Sequence, residues 1–221
     1  MLKDVKLLAP VVPPNIICIG LNYKPHVQEF ESKLPELPQI FFKVTTALTD
    51  PEHEIILPKI APDNVDYEGE LVIIIGKTAK EVSEEDAMDY IFGYTIGNDV
   101  SARDCQTRID SQWARGKSFD TFCPLGPVAV TGIDPEQLHI CTRLNGQTMQ
   151  DSSTEFLIFG IRRLVSFLSQ NMTLLPGTVI LTGTPGGVGF KRVPPVFMKP
   201  GDVVEIEIEN IGILRNTIAA A

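Results

Sequence analysis

Two acidic residues, Glu68 and Glu70, stand at the head of an apolar, β-branched run that ends at Ile75. Such a run predicts a buried strand, and residues i and i+2 of a strand point to one face, with Cα atoms roughly 6–7 Å apart. Burying two carboxylates this close is costly unless a cation neutralises them, and a hard divalent cation prefers oxygen ligands. Asp99 offers a third carboxylate. The alternative is that the glutamates lie on the solvated face of a half-exposed strand, and their spacing does not decide between the two.

The size and charge of the chain exclude several classes of protein. Its 221 residues fit one domain, or at most two small ones. A formal net charge of −9 argues against a nucleic-acid-binding protein that works by neutralising phosphates. An anionic substrate would need local positive charge, such as a bound metal ion, to attract it.

The cysteines and apolar runs indicate a cytoplasmic protein with no membrane contact. The N-terminal segment has no signal-peptide core, and no apolar run approaches the ~18 residues of a membrane span. No pair of cysteines has C-x-x-C spacing, so we expect buried free thiols. These cysteines are Cys18, Cys105, Cys123 and Cys141.

Short strand candidates outnumber helix candidates. Strands are predicted at residues 16–20, 39–44, 54–57, 67–75, 94–96, 128–131, 139–144, 179–183, 203–208 and 213–218. One helix is predicted from Ser83 to about Phe92, after a capping-box-like start, and a longer one over residues 153–171 with a broad apolar face. Without regular β-α alternation, this content predicts a single α+β domain that is mostly β.

Two further segments carry candidate functional residues. His26 and Glu29 would be i, i+3 neighbours on a short helix near Pro25, and a carboxylate there would fix the imidazole tautomer. The Pro-containing stretch that follows, up to Pro38, is predicted to be mobile. The glycine-rich residues 183–189 form either a tight turn or a loop whose N–H groups approach an anion, with Thr184 adding a hydroxyl donor.

These segments together resemble the fumarylacetoacetate hydrolase family over nearly the whole chain, from about residue 16 to residue 218. The matching motifs occur in the family's order. They are Ile-Gly-Leu-Asn-Tyr at 19–23 followed by His26, Phe-Phe-Lys at 41–43, Ile-Ile-Leu-Pro at 55–58, Asp-Tyr-Glu-Gly-Glu at 66–70, Gly-Tyr-Thr at 93–95, Asn-Asp-Val-Ser-Ala-Arg-Asp-Cys-Gln at 98–106, Gln-Trp at 112–113, Lys-Ser-Phe-Asp at 117–120, Pro-Leu-Gly-Pro at 124–127, the glycine-rich 183–189 and Pro-Gly-Asp-Val-Val-Glu-Ile at 200–206.

The resemblance implies a β-roll of mixed sheets with peripheral helices, in a homodimer. It implies the catalytic domain alone, with residues 1–14 as an N-terminal extension and residues 24–38 as a mobile lid. Glu68, Glu70 and Asp99 match the ligands of Mg²⁺ or Mn²⁺, with Ca²⁺ as an alternative.

The resemblance also assigns roles to other residues of the site. His26 and Glu29 match a catalytic dyad carried on the lid, and Lys117 matches a lysine near the metal. Substrate contacts are implied for Tyr23, Gln106, Gly183 and Thr184, whereas Arg103 is expected to pair with a nearby acid.

The implied activity is metal-dependent chemistry on a small 2-oxo acid through an enolate. We expect C–C cleavage, by acylpyruvate hydrolysis or oxaloacetate-type decarboxylation. The alternatives are isomerisation of a 2-hydroxydienoate, tautomerisation of oxaloacetate, and a non-catalytic metal- or ligand-binding protein. Acylpyruvate-cleaving members often carry Arg at the position of Leu21 and Asp is frequent at that of Pro25, so Leu21 favours the isomerase, decarboxylase or tautomerase branches.

Overall fold

The computed structural model describes residues 5–29 and 33–221. Its strands are β1 (Ile16–Gly20), β2 (Gln39–Lys43), β3 (Leu48–Thr49), β4 (Glu54–Leu57), β5 (Val65–Asp66), β6 (Gly69–Ile75), β7 (Ile91–Asn98), β8 (Ser101–Ala102), β9 (Cys123–Val130), β10 (His139–Leu144), β11 (Gln147–Ser153), β12 (Val179–Leu181), β13 (Val203–Ile208) and β14 (Gly212–Ala220). Its α-helices are α1 (Lys24–Glu29), α2 (Ala114–Lys117) and α3 (Ile161–Asn171), and a π-helical turn covers Asp104–Ile109.

The strands form two main mixed sheets, as predicted for the α+β class with a β-roll. The seven-stranded sheet has the order β2-β1-β12-β6-β7-β9-β3, and the five-stranded sheet the order β11-β10-β13-β14-β4. Parallel pairs (β1 with β12, β3 with β9, β14 with β4) stand among antiparallel ones. A two-stranded ladder joins β5 to β8 and brings residues 65–66 beside residues 101–102.

Strand β6 is the centre of the fold because both of its faces are covered. Val72 and Ile74 belong to one apolar cluster, and Leu71, Ile73 and Ile75 belong to a second on the opposite face. A strand buried on both faces reads as a continuous apolar run, which explains the sequence after Glu70. The carboxylates at the head of this strand therefore point into the protein.

The predicted helix over residues 153–171 is wrong in its first half. Helix α3 begins at Ile161, after Gly160, and strand β11 includes Ser153. Asn22 forms hydrogen bonds with backbone groups that would otherwise bond within a helix. Its side chain accepts from Phe159 N (2.8 Å) and donates to Phe159 O (3.1 Å), and its backbone carbonyl accepts from Ile158 N. This tertiary contact overrides the local helical pattern.

The helix predicted from Ser83 to about Phe92 is also wrong. Ser83 Oγ does accept from Asp86 N at 3.1 Å, but the chain forms only a 3₁₀ turn at Ala87–Tyr90. Strand β7 then begins at Ile91, which pairs with Ile75 of β6. Pairing with the central strand therefore ends the helical segment early.

Other expectations concern the termini, the lid and the cysteines. All four cysteines are free and buried, as predicted. Residues 5–14 of the predicted N-terminal extension contain no helix or strand, and residues 1–4 lie outside the described part. In the predicted lid, residues 24–29 form α1, residues 33–38 precede β2, and residues 30–32 lie outside the description. No helix in the described part of the chain is long and apolar enough to span a membrane.

Candidate active site

Three carboxylates converge where β6 begins and β7 ends. Antiparallel pairing sets Gly69 opposite Asn98, so Glu68 and Glu70 flank the point from which Asp99 extends. Asp99 N donates to Glu68 O at 2.9 Å, and Glu68 N donates to the Asn98 side chain at 3.0 Å. One oxygen from each of Glu68, Glu70 and Asp99 lies within 4.8 Å of the others, and all three residues are buried. The solvated alternative for the two glutamates is therefore wrong.

Buried cations surround two of these carboxylates. Lys117 Nζ donates to Glu68 Oε2 and to Asp99 Oδ2, both at 2.7 Å. Lys43 Nζ, at the end of β2, donates to the other Asp99 oxygen. Arg103 pairs with Glu68 Oε1 at 2.7 Å and with Asp66 Oδ2 at 2.7 Å, so its expected pairing with an acid is confirmed.

The pKa values follow from this arrangement. Burial opposes ionisation of Glu68, but Lys117 and Arg103 outweigh it and lower the pKa of Glu68 well below its ordinary value. Burial, and then the charges of Asp99 and Glu68, raise the pKa of Glu70 well above its ordinary value. Burial alone would lower the pKa of Lys117, yet Asp99 and Glu68 raise it, so Lys117 stays an ammonium ion.

Helix α1 brings a histidine–glutamate pair to the same site. His26 Nδ1 lies 3.0 Å from Glu29 Oε2, and the His26 side chain is buried. Gly187 N in turn donates to both Glu29 oxygens, at 3.1 and 3.3 Å. The predicted i, i+3 pair therefore exists, and a backbone N–H of the glycine-rich loop holds its carboxylate. With Nδ1–H donated to Glu29, a neutral His26 carries its lone pair on Nε2.

The glycine-rich loop supports the site through hydrogen bonds. Gly183 N donates to Glu70 Oε2 at 2.6 Å, so this N–H binds a protein carboxylate. Gly183 has φ +103°, and a Cβ there would lie 2.8 Å from Asn22 Cβ, which explains the glycine. Thr184 Oγ1 donates to Gly69 O at 3.0 Å and accepts from Gln150 Nε2 at 2.7 Å. Because Thr184 already donates its hydroxyl proton to Gly69 O, its role as a donor to a ligand stays a prediction.

A cavity of about 120 Å³ opens onto the carboxylates. That volume can hold several water molecules, so it has room for a small organic acid. Polar lining comes from His26, Glu68, Glu70, Asp99, Arg103, Gln106, Thr107, Lys117 and Thr184, and the other lining residues are Ile19, Gly20, Leu21, Phe41, Trp113 and Phe190.

Two residues predicted to contact substrate do not line this cavity. Tyr23 is fully buried in the apolar cluster that contains Leu71, and no partner bonds its hydroxyl in the described part of the chain. Gly183 lies behind Glu70, as described above. The remaining predicted residues, Gln106 and Thr184, do line the cavity.

Sequence reasoning missed three buried residues that hold the site together. Lys43 neutralises Asp99, and Asp66 accepts from Arg103 and from the N–H groups of Gly189 and Phe190. Gln150 accepts from Gly69 N at 3.0 Å and donates to Thr184 and Pro185. For Lys43 and Asp66, the only sign in the sequence of a role at the site was their place in motifs beside apolar residues. The sequence around Gln150 gave no such sign.

The chemistry of these donors fits a hard divalent cation. The cluster offers only carboxylate oxygens, as Mg²⁺, Mn²⁺ and Ca²⁺ prefer, and no thiolate or imidazole among its members. Within the described residues, no lysine or arginine pairs with Glu70, so its ionised carboxylate would have a bound metal ion as its cationic partner. Glu68, Glu70 and Asp99 are therefore the residues that would hold such an ion.

Comparison with known proteins identifies the family. The family model described as fumarylacetoacetate (FAA) hydrolase C-terminal matches residues 15–219. The chain belongs to the fumarylacetoacetate hydrolase family. The Dictyostelium discoideum fumarylacetoacetate hydrolase domain-containing protein 2 homolog is 50% identical to it, over 98% of this chain and 75% of the relative. The Rattus norvegicus protein named oxaloacetate tautomerase Fahd2a, mitochondrial, is 46% identical over 98% of this chain and 70% of its own length.

A solved structure of the family has the same fold over the full chain. The Mycobacterium smegmatis protein described as 5-carboxymethyl-2-hydroxymuconate delta-isomerase superposes with a TM-score of 0.90 and 50% identity, covering 100% of this chain and 84% of that protein. The chain is thus an enzyme of the fumarylacetoacetate hydrolase family, and its relatives include proteins named as tautomerase and isomerase.

Proposed function

We propose that this enzyme moves a proton between oxygen and carbon in a 2-oxo acid or its enol, as a divalent-metal-dependent tautomerase or isomerase. One observation carries the proposal: His26, held by Glu29, lines the same small cavity as Glu68, Glu70 and Asp99. A base and a cation site that share one cavity can act on adjacent atoms of one bound molecule.

The three carboxylates would hold Mg²⁺ or Mn²⁺. When bound there, the cation supplies Lewis-acid stabilisation of the negative charge that develops on the 2-oxo oxygen of the substrate. Lys117 adds fixed positive charge at the same carboxylates, because its raised pKa keeps it protonated. The preorganised charges would favour the anionic form of the substrate over the neutral one.

His26 is the proposed proton carrier. Its Nε2 would accept a proton from C3 of the keto acid, or from the enol hydroxyl in the opposite direction, and then return it to the other atom. Glu29 stabilises the imidazolium formed in between, and the Gly187 N–H keeps Glu29 in place. Burial of His26 excludes water that would compete for the proton.

Gln106 is the proposed substrate-orienting residue. Its amide oxygen accepts from Arg103 at 2.9 Å, so its NH₂ group remains to donate a hydrogen bond. Because Gln106 lines the cavity, this donor would meet a carboxylate or carbonyl oxygen of the substrate. Arg103 therefore sets the direction in which Gln106 binds.

Proton transfer is favoured over C–C cleavage, which was the first expectation from the sequence. Leu21 lines the cavity at the position where cleaving members often carry Arg. Relatives at 46–50% identity carry the names oxaloacetate tautomerase and 5-carboxymethyl-2-hydroxymuconate delta-isomerase. Acylpyruvate hydrolysis also needs a water molecule positioned for attack, whereas tautomerisation needs no second reactant.

A substrate panel tests this proposal. The purified enzyme should be given enols of 2-oxo acids, ring-opened hydroxydienoates and acylpyruvates with Mg²⁺ or Mn²⁺, following both enol absorbance and pyruvate release. We expect loss of enol absorbance without pyruvate release. Stoichiometric pyruvate release would replace the proposal with C–C cleavage, and no turnover despite ligand binding would support a non-catalytic protein.

A further inference from the structure

We infer that the preferred substrate is a 2-oxo acid with a single negative charge and an apolar substituent beyond C3, and that Leu21 is a residue that sets this preference. The inference rests on the proposed function, because it concerns the same cavity. Two independent observations carry it, the lining of that cavity and the charge balance of the buried site.

Part of the cavity lining is an apolar wall. Ile19, Leu21, Phe41 and Trp113 form it with Gly20, and Phe190 also lines the cavity. Phe41 lies against Lys117 and Phe190 against Arg103, so the apolar residues reach the charged cluster. A substituent that extends from C3 would contact these side chains after the acid end has bound at the carboxylate cluster. An apolar substituent gains free energy from this burial, whereas a carboxylate there would lose its hydration.

The apolar wall is tightly packed. The Trp113 ring lies so near Gly20 that a Cβ there would be 2.6 Å from Trp113 Cζ3. Phe41 meets Trp113 edge-on, with ring centroids 5.5 Å apart at 72°. Leu21 has φ +47°, a left-handed conformation that is uncommon for leucine and that fixes where its side chain projects. A wall built in this way cannot easily move aside to hydrate a charge.

The cationic side chains that line the cavity already have carboxylate partners. Lys117 binds Glu68 and Asp99, and Arg103 binds Asp66 and Glu68. His26 is committed to Glu29. Lys191 lies over the Phe190 ring at 6.0 Å but does not line the cavity. In the part of the chain that the structure describes, the lining therefore offers no arginine or lysine dedicated to a second carboxylate.

The charge balance favours the same class of substrate. Four buried carboxylates (Asp66, Glu68, Glu70 and Asp99) and the part-buried Glu29 face three buried cations (Lys43, Arg103 and Lys117), so two negative charges are left over when all of these groups are ionised. A divalent cation would offset these two charges. The first carboxylate of a substrate would lie at that cation, whereas a second carboxylate would add a buried negative charge without a partner, which is costly.

This preference would distinguish the chain from its relative named for oxaloacetate, which is a dicarboxylate. The contrast defines a matched pair of ligands. In 4-methyl-2-oxopentanoate, an isopropyl group replaces the distal carboxylate of oxaloacetate with nearly the same shape. The two differ mainly in charge and polarity at the position that would contact Leu21.

The single tryptophan of the chain provides the readout, since Trp113 lines the cavity. Quenching of its fluorescence in a stopped-flow instrument, with Mg²⁺ present, gives both dissociation constants within seconds, before oxaloacetate decarboxylates. For the wild type we expect 4-methyl-2-oxopentanoate to bind at least ~10-fold more tightly than oxaloacetate. This ratio corresponds to a difference of about 1.4 kcal/mol in binding free energy. Tighter binding of oxaloacetate would overturn the inference, whatever the variants do.

Substitutions test whether Leu21 sets the preference for 4-methyl-2-oxopentanoate over oxaloacetate. Leu21→Arg should shift the ratio of the two dissociation constants by ~10-fold or more toward oxaloacetate. Leu175→Arg, at an exposed leucine that does not line the cavity, is the matched control and should leave the ratio unchanged. Lys191→Met should also leave it unchanged, whereas a loss of oxaloacetate binding in that variant would show that Lys191 recognises a second carboxylate.

The outcomes separate this inference from the proposed function. If neither ligand quenches Trp113 and calorimetry shows no binding, the assignment of 2-oxo acids is wrong, and the inference falls with it. If both bind with equal affinity, or if Leu21→Arg folds and leaves the ratio unchanged, only the inference is wrong. If Leu21→Arg does not fold, Leu21→Gln replaces it, because glutamine adds polarity at similar volume. The Leu21→Gln variant should bring the dissociation constants of the two ligands closer together than in the wild type. An unchanged ratio of these constants would contradict the role of Leu21.

Discussion

His26 Nδ1 lies 3.0 Å from Glu29 Oε2, and the Gly187 N–H donates to the same carboxylate. The orientation of the proposed base therefore depends on a loop more than 150 residues away in sequence. That loop also bonds Glu70 through Gly183 N. One loop thus positions both the base and a proposed metal ligand, which couples the geometry of the two.

Glu29→Gln should lower kcat while leaving the fold and metal affinity unchanged. The amide can still accept one hydrogen bond from His26, but it cannot stabilise an imidazolium by charge. We expect a loss of roughly 10-fold, smaller than the ~10²-fold or more that follows removal of the base itself. Steady-state kinetics beside Glu36→Gln, an exposed glutamate in residues 33–38, would measure the difference. Equal effects of the two substitutions would contradict the role of Glu29.

Metal binding should release protons in a manner that depends on Glu70. Burial, Asp99 and Glu68 raise the pKa of Glu70 well above its ordinary value, so without a metal ion this residue holds its proton more strongly than an exposed glutamate does. A ligand must be deprotonated, so affinity for Mg²⁺ or Mn²⁺ should rise as the pH rises through this pKa and fall as the pH decreases. Calorimetry in two buffers of different ionisation enthalpy would detect the proton.

A substitution of Glu70 tests this, and an exposed glutamate provides the control. Glu70→Gln should abolish the proton release and weaken metal binding strongly, whereas Glu136→Gln, at an exposed position, should change neither. Excess chelator should abolish activity, and Zn²⁺ should not be preferred over Mg²⁺ or Mn²⁺. Full activity in chelator, or unchanged metal affinity in Glu70→Gln, would contradict the assignment of these carboxylates as metal ligands.

Gln150→Leu should destabilise the protein. Gln150 is 1% exposed and links Gly69 N to Thr184 and Pro185, so the substitution leaves a buried N–H without its partner. We expect a loss of about 1–3 kcal/mol in the free energy of unfolding, measured by urea denaturation. Gln147→Leu, at an exposed position of the same strand, should cost much less. Similar losses for the two variants would show that the network is unimportant.

The strand content could be predicted because apolar runs end at turn residues. The bounds of β1, β4, β10 and β13 match the prediction at both ends. The start of the long helix could not be predicted from local sequence. Asn22 binds the backbone of Phe159 from 137 residues away, and α3 begins only after Gly160, whereas the helix was predicted to begin at residue 153. Local periodicity contains no information about such a contact.

The site could be predicted in part for a similar reason. Glu68 and Glu70 share a strand end, and His26 and Glu29 share a helical turn, so local spacing brings each pair together. The contact of Lys43 with Asp99 spans 56 residues and depends on the order of the strands in the sheet. The family resemblance marked that motif but did not identify which partner the lysine neutralises.

The enzyme should be a homodimer. Strand β2 lies at an edge of the seven-stranded sheet, and its Phe42 is 47% exposed, with Val44 next to the strand 51% exposed. Edge strands with exposed apolar side chains are commonly covered, and a second copy would do so here. Light scattering at micromolar protein should give twice the chain mass. A sharp peak at the monomer mass would contradict this prediction.

The central claim, that His26 moves a proton at C3 of a 2-oxo acid bound at the carboxylate cluster, is tested most directly by deuterium exchange. Proton NMR in D₂O can follow loss of the C3 hydrogens of 4-methyl-2-oxopentanoate, which has no group that cleavage could release. We predict exchange well above the buffer rate with wild-type enzyme and Mg²⁺, and at least ~10²-fold slower exchange with His26→Ala or in chelator. Exchange at the buffer rate with the wild type, or undiminished exchange with a folded His26→Ala variant, would contradict the claim.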